Sequence, residues 1–563
     1  MKRTGLLAVS ALALMAMPIA GDAQAPAPDL IIYNAHIVTV DGKFSIASAA
    51  AVQGGRFVRV SSDKAVLALA GPATRQIDLH GQTVLPGFND SHQHQMTQGA
   101  GISTDVNLTN IHSIADIKAA IRERLKEKKP GEWLKGTRGW WEYELAEGHL
   151  PDRHDLDEVA PENPVTIPGP HYTIVNTMAL KLAGITKDTP DPQGGEIRKD
   201  PKTGEPTGQL FDNASRAVTR LLPKQSKADI IKGLLQTIAM NNSNGLTSVH
   251  EAGGTQEELD IYRDLLAQGR LNMRVDFAYD IDPALPLDEV KKRLAAIGPP
   301  TQHYGDGMIR ADQIAETGLD GAELTAFLRE EYPDRPGYKG LTKVPQQHFN
   351  EFAAAVAESG WRLRPHLVGD AAIDEALTAF EYANAHTSII GRRWMLDHDF
   401  LLLPDMYPRV KKLELFLNSQ YMHEAQLGGL ILTAWHRPLA DKMENYKDWL
   451  AAGIKFGGGS DGPISYHAWP IYEIYGEVTR GTMWGGVLGP DQGISRADAI
   501  RTVTSWAPIS SFEEKVKGAI APGQYADFVL LSDDILKVPA DQIKDVKVRA
   551  TILGGRTVFG TLQ

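Results

Sequence analysis

The sequence predicts an α/β protein, a (β/α)8 TIM-like barrel carrying a discontinuous β-sandwich domain formed from both termini. Three observations predict it. Short apolar runs alternate with helical segments through the middle of the chain, β-like runs separated by Gly and Asp turns occur at both ends, and several central runs finish on a histidine or an acid. Repeated βα units imply a parallel sheet, and about eight of them imply a closed barrel. A doubly wound open sheet is the alternative. No Gly-rich phosphate loop follows any strand run, which counts against its nucleotide-binding form.

The elements follow in chain order. The opening MKRTGLLAVSALALMAMPIAGDAQA has a basic start at Lys2 and Arg3, an apolar run too short to span a bilayer comfortably, and small residues around Ala25. It reads as an export signal over 1–25, cleaved near Ala25, which places the mature protein in the periplasm or outside the cell. Residues 28–86 hold LIIYNAHIVTV, AVQGGRFVRV and RQIDLHGQTVLPG; residues 516–563 hold ADFVLLSDD, VRATILGG and RTVFGTLQ. These two ends are assigned to one sandwich. The barrel takes 87–515, with an insertion at about 107–246 whose Pro/Gly/Asp punctuation reads as a β-ribbon or lid. Its strand candidates after the first are LTSVHEAGG, MRVDFAYD, GMIRADQ, WRLRPHLVGD, RWMLDHDF, LELFLNSQ and IKFGGGSDG. Helical patterns such as QHFNEFAAAVAESG and AAIDEALTAFEYANAH lie between them.

Composition narrows the chemistry. The 563 residues carry a formal charge of −12 with no basic cluster, so nucleic acid is not an expected partner. There is no cysteine. Disulfides and thiolate catalysis are excluded, and any metal must be held by nitrogen and oxygen. The expected partner is a small-molecule substrate, without stable membrane insertion; a homo-oligomer is compatible with the sequence.

The stretch VLPGFNDSHQHQ, Val84 to Gln95, sets His92 and His94 two apart at the end of an apolar strand. Residues two apart in a strand share a face, so both imidazoles aim at one point. Chemistry in a barrel gathers at the C-terminal ends of its strands. Glu251, His366, His398 and Asp461 each follow another strand run and would stand at the same mouth. Imidazoles bind a borderline divalent ion such as zinc while leaving a position for water, and an adjoining carboxylate can carry the proton.

PGFNDSHQH resembles the first-strand signature of the amidohydrolase superfamily of metal-dependent hydrolases. The blocks LPDRHDLDEVAPENPVTI, PHYTIVNTMALKLAGIT, DTPDPQGGEI, HLVGDAAIDEAL, GSDGP and GAIAPGQYADFVLL resemble its N-substituted formamide deformylase branch, often called YtcJ-like. The resemblance implies metal ligands at His92 and His94, further histidines at His366 and His398, and a catalytic aspartate at Asp461. The expected metal set is His92, His94, His366 and Asp461, with His398 and Asp461 in catalysis. The branch usually carries a lysine, carboxylated to bridge two metals, on the strand before its Asp-Gly block. Aligning ADQIAETG with that block puts Met308 in its place, which predicts a single divalent ion, zinc expected; Glu316 or Glu251 could supply a bridging carboxylate instead, but each is assigned a structural or substrate-facing role. His171, Asn176, Trp140, Tyr421, His423 and Arg310 are the expected substrate contacts, with Trp141 and Tyr143 as further wall candidates.

The leading function is hydrolysis of a C–N bond in an amide, N-formyl or cyclic amide compound. The same metal site could instead serve ester or lactone hydrolysis, deamination, or a lyase or isomerase reaction. A non-catalytic metal or small-molecule binding protein is the reading from another class, and Asp461 beside the histidines argues against it.

Overall fold

A computed structural model describes residues 27–562 apart from 103, 109, 110, 170, 305, 306, 465 and 466; the side chains of 143 and 301–304 are also outside it. The export segment therefore lies outside the described residues. No helix among the described residues is long and apolar enough to cross a membrane.

Eight parallel strands form the central sheet: β1 (Phe88–Gln93), β2 (Leu246–Glu251), β3 (Arg274–Tyr279), β4 (Ile309–Gly318), β5 (Arg362–Leu367), β6 (Met395–His398), β7 (Phe416–Ser419) and β8 (Phe456–Gly458). Each pairs with its sequence neighbour. The short strand Thr301–Tyr304 runs antiparallel to β4. The two edges meet just past the strand ends, where the Asp461 N–H donates to the His92 carbonyl at 2.9 Å and the His94 N–H to the Gly462 carbonyl at 2.9 Å. The expected (β/α)8 barrel is present.

Helices Gln346–Ser359 and Asp370–His386, on either side of β5, pack against one another. Ala353 to Ala355 in the first and Ala372, Ala376, Ala379 and Ala383 in the second are buried. Small side chains let helix axes approach closely. The interior of the barrel is polar. Gln313 donates to Asp276 at 2.7 Å, Arg364 donates to Gln313 at 2.9 Å, and Arg364 also reaches Asp397 at 3.2 Å. Groups this deeply buried are tolerated only when hydrogen-bonded.

Both chain ends contribute to one six-stranded sheet, in which Phe528–Leu531 runs antiparallel to Thr83–Pro86. A four-stranded sheet of N-terminal strands adjoins it, and Phe57 meets Phe528 at 6.1 Å between ring centroids. Within the 107–246 insertion, strands Leu134–Lys135, Val165–Gly169, Tyr172–Val175, Gly195–Lys199 and Pro206–Asp212 build a five-stranded sheet with its own core.

Candidate metal centre

His92 lies inside the barrel near the end of β1, and His94 follows just past it. Asp90 ties this strand end to the loop after β8: its carboxylate accepts from the Ser460 hydroxyl at 2.6 Å, the Ser460 N–H at 3.0 Å and the His92 N–H at 3.1 Å. That clamp brings Asp461 to the histidines. Asp461 Oδ1 lies 3.0 Å from His94 Nε2 and 3.4 Å from His92 Nε2, and its Oδ2 lies 3.2 Å from His423 Nε2.

Glu316, on β4, occupies the centre. Its Oε1 is 2.7 Å from His366 Nδ1 and 2.7 Å from His398 Nε2, whereas its Oε2 is 3.2 Å from His94 Nε2 and 4.0 Å from His92 Nε2. One carboxylate thus divides its oxygens between two pairs of imidazoles. Between Ile314 and Thr317 the pairing of β4 with β5 slips by one residue, a bulge that includes Glu316. Bulges re-aim side chains beside active sites. His398 and Asp461 hold positive φ angles of 73° and 53°. Backbone strain of this kind persists where the surroundings over-determine the conformation.

Electrostatics follow from this packing. Burial opposes ionisation of Glu316, yet His366, His398 and His94 outweigh it and hold its carboxyl well below the usual range. Burial likewise opposes charge on His94 and His398, but Asp461 and Glu316 push His94 up to about 10, and Glu316 pushes His398 up to about 9. Burial and the neighbouring His398 drive His366 down to about 3. The two carboxylates draw positive charge into a buried space, which is the setting a divalent cation requires.

The donor set fits such an ion. His92, His94 and Asp461 form one group whose ligand atoms lie within 4.8 Å of each other; His92, Glu316 and His398 form a second. His92 Nε2 is buried and makes no hydrogen bond of good geometry. Its Nδ1 sits 3.2 Å from Asp397. Arg364 Nη2, 3.0 Å from the same nitrogen, competes for it while also holding Asp397. With Asp397 accepting from Nδ1–H, Nε2 is left as the ligand atom.

A family model described as "Amidohydrolase family" matches residues 75–559. The chain belongs to the amidohydrolase family. It is 28% identical to a putative amidohydrolase, YtcJ, of Bacillus subtilis, over 87% of this chain and 91% of that protein. It is 27% identical to an N-substituted formamide deformylase of Arthrobacter pascens, over 94% of this chain and 97% of that protein. An uncharacterized metal-dependent hydrolase from Pyrococcus furiosus shares the fold at 23% identity and a TM-score of 0.68, covering 90% of this chain and all of that one.

Of the expected site residues of this amidohydrolase, His92, His94, His366, His398 and Asp461 converge. His171 and His423 join His94, Glu316, His366, His398 and Asp461 around a cavity of about 610 Å³. Four expected substrate contacts lie elsewhere. Trp140 is buried in the core of the insertion and donates to the Pro168 carbonyl at 2.9 Å. Asn176 caps helix Thr177–Ala183. Tyr421 is buried with its hydroxyl on the Gly481 carbonyl at 2.8 Å. Arg310 sits near the opposite end of β4, paired with Asp312. None of the four lines the cavity. Trp141 is buried in the barrel core, and the Tyr143 side chain lies outside the described residues.

The alignment of Met308 with the bridging lysine is overturned. Met308 precedes β4 at the far end, with its sulfur 3.5 Å from Arg274, and Glu316 stands among the candidate ligands instead. The expectation of one ion rested on that alignment and loses its basis. Glu251, the other carboxylate weighed, is occupied: it accepts from the Met96 N–H at 3.0 Å and the Tyr262 hydroxyl at 2.6 Å. Sequence reasoning missed Asp397 and Asp212. Asp397 directly precedes His398, and that adjacency was the one signal available.

Proposed function

We propose that this amidohydrolase cleaves a C–N bond of a small amide or N-formyl compound with water, and that Glu316 and the histidines around it would hold two divalent ions, zinc in the first instance. The observation that carries the reading is the split of the Glu316 oxygens between His92/His94 and His366/His398, with Asp461 facing the first pair. His92, His94 and Asp461 would hold one ion, His366 and His398 the other. When bound, such ions lower the pKa of water and polarise a carbonyl. Glu316 would supply as a permanent carboxylate what the resemblance leads one to expect from a carboxylated lysine. Asp461 takes a proton from the attacking water and passes it to the departing nitrogen, within reach of His423 Nε2 at 3.2 Å. The cavity of about 610 Å³ suits a small molecule. The likeness to an N-substituted formamide deformylase across nearly the whole chain supports the bond type.

The test is elemental analysis joined to turnover on a panel of formamides, other amides, esters and lactones. Two tight ions and amide turnover are expected, and Asp461→Asn should lower kcat by roughly 10²-fold or more per occupied site, with metal occupancy measured alongside because Asp461 would also hold an ion. A single ion, or turnover confined to esters, sinks the reading. Export with cleavage near Ala25 is part of the proposal, and N-terminal sequencing of the mature protein checks it.

A further inference from the structure

We propose that Asp212 sets His171 as a hydrogen-bond acceptor for the substrate's N–H, so that the site takes primary and secondary amides in preference to N,N-disubstituted ones. This inference rests on the amide reading above and names its substrate class more narrowly.

Asp212 ends the inserted strand Pro206–Asp212, and its side chain is fully buried. Three donors converge on that carboxylate: His171 Nδ1 at 2.9 Å, Lys343 Nζ at 3.2 Å and the Thr325 hydroxyl at 2.7 Å. His171 comes from the inserted hairpin, whereas Thr325 and Lys343 come from the segment after β4. The Asp212 N–H also donates to the His171 carbonyl at 2.7 Å. Both residues hold left-handed backbones, with φ of 49° for His171 and 46° for Asp212. Strain stored at two facing residues points to a conformation that packing alone would not select.

The imidazole is therefore fixed in position and in tautomer. Its ring lies against that of His366, centroids 4.5 Å apart and planes at 32°. With Nδ1–H given to Asp212, Nε2 keeps the lone pair. Nε2 has no hydrogen-bond partner among the described residues, and His171 lines both the main cavity and an adjoining one of about 430 Å³. An acceptor held beside the metal centre matches a donor on the reacting group. An amide N–H offers one; an ester, a lactone or a tertiary amide does not. A purely structural latch would need only Thr325 and Lys343 on Asp212.

The experiment uses the full, metal-loaded chain with N-butylformamide and N-butyl-N-methylformamide. Binding is read by NMR titration and turnover on the same pair. The wild type is expected to favour the N–H compound by about tenfold or more, since a site built around a polar group rejects ligands that lack its partner. His171→Phe keeps a ring against His366 and removes both nitrogens; Asp212→Leu removes the acceptor of Nδ1–H, so the ring proton is no longer held away from Nε2. Each should bring the ratio close to one while elemental analysis shows the metal retained. Should Asp212→Leu fail to fold, His171→Phe decides. No preference in the wild type, or an undiminished preference in metal-replete His171→Phe, overturns the proposal. Binding preference without turnover of either compound supports it and sinks the hydrolase reading; equal binding and turnover of both does the reverse.

Discussion

At the start of β4 and β5, Arg310 and Arg362 close on Asp312, and Phe512 lies 5.6 and 5.3 Å from the two guanidiniums. At the other end of the same strands, Glu316 and His366 face His94 and His398, and among the described residues the ion pairs of Glu316 and Asp461 are to imidazoles. Both ends bury charge. The first is closed with permanent cations that no ligand needs to supply. The second relies on rings that can exchange a proton for a metal ion, so its charge balance is completed from outside. The contrast agrees with the general division of barrels, in which one rim confers stability and the other carries chemistry.

The sharpest way to break the comparison is Glu316→Gln. An amide cannot supply the anion that two close cations need. We expect the second ion to be lost and kcat to fall by about 10³-fold or more, several kcal/mol of transition-state stabilisation. Elemental analysis and kinetics on the same preparation check it; retention of two tight ions would remove Glu316 from the bridge.

The opposite rim should respond in stability rather than in metal content. Asp312→Ala leaves Arg310 and Arg362 buried without their shared carboxylate, and breaking such a cluster costs about 3 kcal/mol or more. Denaturant unfolding should show that loss while the folded fraction keeps its metal. A variant that loses metal and stability together would show that the two rims are not independent.

These two outcomes also explain what was legible in the sequence. His92, His94, His366, His398 and Asp461 each follow an apolar strand run, and alternation alone brings them to one rim. Glu316 is legible in the sequence as a candidate bridge, but the alignment of ADQIAETG puts Met308, before the other end of β4, in the lysine's place and leaves Glu316 a lesser role. The same alignment carries Arg310 with it. Trp140, Asn176 and Tyr421 went to cores and a helix cap, where side chains of their kind are consumed by packing and backbone hydrogen bonds. Asp212 finds Lys343 and Thr325 more than a hundred residues away, and no local period carries that information.

Between the rims, Asp397 offers a smaller effect. It holds His92 from behind and touches none of the cavity. Asp397→Asn should weaken metal binding by about 10- to 100-fold, the usual consequence of losing a carboxylate behind a ligand histidine. Chelator competition measures this without reference to turnover. Unchanged affinity would assign Arg364, not Asp397, as the partner that orients the ring.

The smallest effect belongs to Glu251, and it tests whether position at the reactive rim is enough to make a carboxylate functional. Glu251 ends β2 on the same rim as Glu316 and is fully buried. Its oxygens already accept the Met96 N–H and the Tyr262 hydroxyl, which in turn accepts from Gln95 at 3.0 Å. Both donors are neutral groups of the protein itself, so nothing external is needed to satisfy the site. In Glu251→Gln the side-chain carbonyl can still accept from Met96 and Tyr262, and only the charge-assisted part of the bonding is lost. The expected cost is about 1 kcal/mol of stability, with metal content and kcat unchanged. Thermal unfolding and elemental analysis of the variant decide it. A fall in metal content as large as that of Glu316→Gln would place Glu251 among the residues that hold the ions.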